Sequence, residues 1–112
     1  RGVYAVAASS GSDQDAVSFP IPLSAKPQAV FIPKDGSPPD ACDAGTVQEP
    51  QADPGWLCVW ERDTWNRGYT LLTDESGQVG QGGTFGFIMF ASTNQPTMGG
   101  MQSVGTWAVT GG

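Results

Sequence analysis

Trp56-Leu57-Cys58-Val59-Trp60-Glu61 alternates in a way that suits an extended chain and no helix. Successive side chains of a strand point to opposite sides. Trp56, Cys58 and Trp60 therefore share one face, and Leu57, Val59 and Glu61 the other. Pro54-Gly55 ahead of this stretch is a turn signal. Working outward, similar short apolar segments recur between clusters of Gly, Pro, Ser and Asp, the spacing of an all-β sandwich or barrel. Residues 2–8 read as a first strand closed by a loop over 9–13. Residues 16–23 set Val17, Phe19, Ile21 and Leu23 against small residues and prolines. Proline donates no ladder hydrogen bond, so an edge strand is expected there. Residues 28–32, 68–72 and 104–110 supply three more strands. Residues 84–91 are apolar on both faces, which predicts a strand at the centre of the fold or under a partner subunit. The expected fold is all-β: an antiparallel sandwich, jelly-roll-like, of seven or eight strands.

Composition agrees. The chain has 112 residues, room for one domain (1–112), with 16 glycines and 9 prolines and no long helical window. Hydrophobic residues make up 38%, with four Trp and five Phe, enough to build a core and to argue against disorder. Five basic residues against eleven acidic ones leave a net charge of −6, so no phosphate-tracking stripe and no nucleic-acid partner is expected. Without histidine, a Ser-His-Asp triad and histidine-ligated zinc are excluded. The longest apolar run, 87–91, falls far short of the roughly 20 residues of a membrane helix.

The two cysteines, Cys42 and Cys58, bracket a segment containing Gly45, Pro50, Pro54 and Gly55 that can fold back on itself. A disulfide between them would close a loop of about 15 residues, contributing roughly 3 kcal/mol in the chain-entropy model. The alternative is two buried free thiols. Residues 33–54, acidic and proline-rich, are long for a connection, and the disulfide is a sufficient structural reason.

Candidate sites are few. Trp56, Trp60 and Trp107 lie in strands and suit a core; Trp65, among polar neighbours, is the tryptophan expected at the surface. Trp60, Trp65 and Tyr69 are the candidate contacts for a ligand. Asp13, Asp15 and the carboxylates of the long loop could attract calcium but lack a helix–loop–helix pattern, so no metal or other cofactor is expected. Glu61 and Asp63 could in principle share acid–base work on a glycosidic bond. Lys26 and Lys34 flank prolines and no Ser-x-x-Lys pair occurs, and the pairs Gly82-Gly83 and Gly99-Gly100 read as turns.

Taken together, Gly2-Val3-Tyr4-Ala5-Val6, the Pro54-Gly55-Trp56-Leu57-Cys58-Val59 segment and Gly105-Thr106-Trp107-Ala108-Val109-Thr110 resemble a family. It is the small β domain at the C-terminal ends of bacterial cell-surface proteins, some of them collagen-like. Trp60 and Trp65 depart from its pattern. The resemblance implies a paired Cys42 and Cys58, a non-enzymatic role, and an Arg1-Gly2 junction to a preceding stalk, so the chain is expected to be a fragment of a longer one. It also implies a homotrimer that sets the register of three chains. Phe85, Phe87 and Met89 are then the expected interface residues, and the setting is extracellular or cell-surface with no membrane insertion. The alternative is an extracellular module binding a glycan or protein partner.

Overall fold

The computed structural model describes residues 1–111. Seven strands form in chain order: β1 (Gly2–Ala8), β2 (Ser12–Ser18), β3 (Gln28–Ile32), β4 (Trp56–Trp65), β5 (Arg67–Thr73), β6 (Gly86–Thr93) and β7 (Met101–Thr110). The only helical pieces among the described residues are two short 3₁₀ turns, Asp40–Cys42 and Pro96–Met98. One sheet has the order β1-β7-β4-β3 and the other β2-β6-β5. The first strand pairs with the last and the second with the next to last, the nested pairing of a rolled-up chain. The expected all-β sandwich is borne out.

Between the sheets lies the core. Leu57 and Val59 of β4 face Phe87, Met89 and Ala91 of β6, with Tyr4, Val6, Phe19, Leu72, Met101 and Trp107 among the buried residues around them. Phe87 meets the Trp107 ring edge-on at 5.8 Å. On the other side of β4, Cys58 and Trp60 pack with Ile32, Cys42 and Ala108 beneath the long loop. The loop is stapled by the Cys42–Cys58 disulfide (Cα–Cα 6.0 Å). It is also pinned by Thr106 Oγ1 donating to Val47 O at 2.8 Å and Thr110 Oγ1 donating to Ala52 O at 2.7 Å. Gly45 is required here: a Cβ would stand 2.4 Å from Gln51 N and 2.9 Å from the Trp60 ring.

Three expectations need correction. The sandwich is not wholly antiparallel, because β3 and β4 pair in parallel, Gln28 opposite Trp56 and Ile32 opposite Trp60. Parallel neighbours need a long crossover, so the length of the long loop has a topological cause as well as a disulfide. The second strand is Ser12–Ser18, not 16–23. Its place at a sheet edge holds, but Pro20 and Pro22 end the ladder, leaving single bonds from Phe19 N to Phe85 O and from Leu23 N to Thr84 O. Finally, β4 runs on to Trp65 through a bulge: Glu61 opposes Gly105 and Asp63 opposes Val104, leaving Arg62 as the extra residue. After Trp65 the chain crosses between sheets at Asn66, a left-handed residue (φ 54). Its Nδ2 donates to Gln95 O and Gly100 O, and its Oδ1 accepts from Gln95 N, tying both sheet-switching corners together.

Candidate functional site

The structure divides the expected contact residues. Phe87 and Met89 are core residues, 3% and 0% exposed, and cannot form an interface. The cause is that β6 is the middle strand of its sheet, with Phe87, Met89 and Ala91 inward and Ile88 and Phe90 outward. Its two-sided hydrophobicity therefore splits between a core and an outer face. Phe85, just before β6, is 71% exposed. Trp60 is buried under the long loop and is withdrawn as a ligand contact, whereas Trp65 and Tyr69 are exposed.

On the outer face of β2, β6 and β5, Tyr69 is exposed, Ile88, Phe90 and Leu71 are half-buried, and Thr73 is buried beside the turn that follows β5. Gln14, Phe90 and Leu71 form one cross-strand row, and Ala16, Ile88 and Thr73 the next. The Tyr69 and Phe90 rings lie side by side, centroids 6.1 Å apart and 31° from coplanar. Two shallow depressions hollow this face, one of about 560 Å³ beside Tyr69, Phe90 and Leu71, one of about 480 Å³ beside Phe85 and Ala16. Glu75 is the one ionisable carboxylate lining them, and Lys26 pairs with it at 3.2 Å. By contrast Asp35, Asp40, Asp43, Glu49 and Asp53 all sit in the loop that serves the other sheet.

A buried polar network closes one end of the core. Glu61 accepts from Arg67 Nε at 2.6 Å and Arg67 Nη2 at 3.0 Å, from Ser103 Oγ at 2.6 Å and from Lys34 N at 3.1 Å. Ser103 also shares a hydrogen bond with the Tyr4 hydroxyl at 3.1 Å, and the Arg67 guanidinium lies over the Phe31 ring. Burial pushes the Glu61 carboxyl up, but the hydrogen bonds from Arg67, Ser103 and the Lys34 backbone outweigh it and hold the group below its ordinary value. Burial raises the Tyr4 phenol well above its ordinary value.

Asp74 is the other enclosed carboxylate. Lys26 Nζ reaches it at 2.9 Å, Gln81 Nε2 at 2.6 Å, and Ser76 and Gln78 close a loop around its second oxygen. The Lys26 bond, then those from Ser76 and Gln81, hold its carboxyl far below the usual range. Lys26 is raised in return, first by Asp74 and then by Glu75.

Glu61 points into the sandwich while Asp63 is exposed on its outside, so the two cannot flank one glycosidic bond. Asp15 caps an edge, accepting from Ala5 N at 3.4 Å. No three Cys, Asp or Glu side chains converge on a common point among the described residues. Sequence reading missed Ile88, Phe90 and Leu71 as surface residues; the alternation within β6 was the available signal. Against known proteins, no family model matches the chain, and neither a curated protein nor a solved structure matches it.

Proposed function

We propose that this domain is a non-enzymatic structural head of an extracellular or cell-surface protein, self-associating as a homotrimer through the outer face of β2, β6 and β5. The observation that carries this reading is the apolar outer face of that sheet, where Phe85 and Tyr69 are exposed and Ile88, Phe90 and Leu71 are half-buried, beside a second sheet whose outer face is partly covered by its own loop. Continuous exposed apolar patches on small domains are commonly contact sites.

Charge favours another copy of the chain as the occupant. At net −6, copies repel one another unless the carboxylates face apart. Association through this face turns the acidic loop of every copy outward and brings together surfaces lined by a single, already paired carboxylate. Gly2 pairs with Trp107 near the end of β7, and a Cβ on Gly111 would lie 4.0 Å from Leu23, which bonds to Thr84 beside Phe85. The chain thus enters at the end where the apolar strip begins. Joining three chains there raises the effective concentration of the stalk strands and sets their register. A disulfide favours an oxidising compartment. No helix among the described residues is long and apolar enough to cross a membrane.

Light scattering under non-reducing conditions tests the proposal: the expected mass is three times 11.7 kDa. Phe85→Asp, at a residue 71% exposed, is expected to give a folded monomer. A monomeric wild-type domain overturns the reading.

A further inference from the structure

We propose that the part of the four-stranded sheet's outer face left uncovered by the long loop, centred on Trp65, is a binding site for a neutral glycan. The bulge at Arg62 sets which side chains reach this surface. Along β4, Trp56, Cys58 and Trp60 point outward and Leu57, Val59 and Glu61 inward. Strict alternation would carry on to place Thr64 outward and Trp65 inward. The extra residue reverses both. Trp65 is left 48% exposed, and Thr64 turns in with its hydroxyl buried and without a hydrogen-bond partner. An indole in water and an unpaired hydroxyl inside are both unfavourable to stability. A bulge that produces both serves the surface and not the core.

What surrounds Trp65 decides the ligand class. Its ring makes no aromatic or cation–π contact among the described residues. The exposed Gln102 stands directly opposite on β7, with Ala7 beyond it on β1. The next row holds Asp63, Val104 and Ala5. The result is a low shelf with an indole at one end, bounded at the other by the loop where Val47 meets Thr106. A sugar ring offers a C–H face that stacks on an indole and an edge of hydroxyls that pair with planar carboxylate and amide groups. Trp65, Asp63 and Gln102 supply that set on rigid strands. Trp65 is the one aromatic side chain in these two rows, whereas a protein partner needs a cluster of such anchors. Asp63 already lies 3.8 Å from Lys34, and the net charge of −6 disfavours an acidic polysaccharide. The site faces away from the proposed self-association surface and does not depend on it. In a trimer it would be presented three times outward, adding avidity.

The test uses the four indole N–H signals of the domain in a ¹H–¹⁵N spectrum, with Trp65→Ala assigning the one concerned. The probes are hexasaccharides of β-1,4-linked glucose, α-1,4-linked glucose, β-1,4-linked mannose and β-1,4-linked N-acetylglucosamine, with a hyaluronan hexasaccharide as the acidic control. At least one neutral probe is expected to shift the Trp65 signal with a dissociation constant of about 1 mM or tighter. Gln102→Ala should weaken that binding about tenfold with the remaining spectrum unchanged. Phe85→Asp should leave the per-site affinity intact, which separates this site from the proposed assembly. A Trp65 signal unmoved by every neutral probe at about 10 mM overturns the proposal. So does binding that survives Trp65→Ala, or binding of hyaluronan alone.

Discussion

Removing the Glu61 carboxylate tests the physical account of the core most severely. Four donors converge on it, from Arg67 twice, Ser103 and the Lys34 backbone, and Arg67 is only 17% exposed. Glu61→Leu leaves a guanidinium in the sandwich facing no carboxylate, with Ser103 and Lys34 N also short of an acceptor. Breaking one side of a buried pair costs about 3–5 kcal/mol. For a domain near this size each kcal/mol moves Tm by about 4 °C, so the expected fall is roughly 12–20 °C. Combining it with Arg67→Leu removes the stranded charge, and the double variant should recover most of the loss. Thermal unfolding by circular dichroism, with urea denaturation as a check, reads the effect. A loss below about 1 kcal/mol for Glu61→Leu, or strict additivity with Arg67→Leu, refutes the reasoning.

Other expectations follow from the same contacts. Because Glu61 and Asp74 are held below their ordinary values, their stabilising contribution is complete above the unfolded carboxylate range and declines as acid protonates them in the fold. Asp74→Asn should therefore flatten the acid limb of a stability-against-pH curve measured by urea midpoints. Tyr4 acts in the opposite sense: its raised phenol makes stability decline once pH rises past about 10, and Tyr4→Phe should remove that part of the alkaline limb. Cys58→Ser should lower stability by roughly 3 kcal/mol and loosen the loop over Trp60, read as a red shift of tryptophan emission. Gly105→Ala should destabilise strongly, because its Cβ would sit 1.8 Å from Trp60 O and 2.8 Å from the Tyr4 ring. Recovery of wild-type midpoint by that variant would show that β4 and β7 are not so close.

Much of the architecture was legible in the residues. The bounds of β1 and β3 follow from their apolar runs and flanking turn formers, and the alternation of 56–61 separates its two faces, which the structure assigns one to the core and one to the layer under the disulfide-stapled loop. What escaped reading has physical causes. A bulge inverts alternation without any signature of its own, so the extension of β4 through Asp63 and Thr64 looked like a polar loop. Pairing partners across sheets are equally silent: Glu61 shares a face with Leu57 and Val59, but nothing in the chain names Arg67, six residues on and in the other sheet, as its counter-ion. The parallel β3–β4 pair was hidden because strand order is set by where the long crossover lands. For Phe87 and Met89 a core place and a subunit contact read alike, because two-sided hydrophobicity suits both a central strand with one outer face and an interface strand.

The most direct measurement is the solution mass of the disulfide-bonded domain, taken in parallel with Phe85→Asp. The account predicts three times 11.7 kDa for the first and 11.7 kDa for the second, with the same circular dichroism spectrum. A wild-type domain that runs at 11.7 kDa across the concentration range would contradict it.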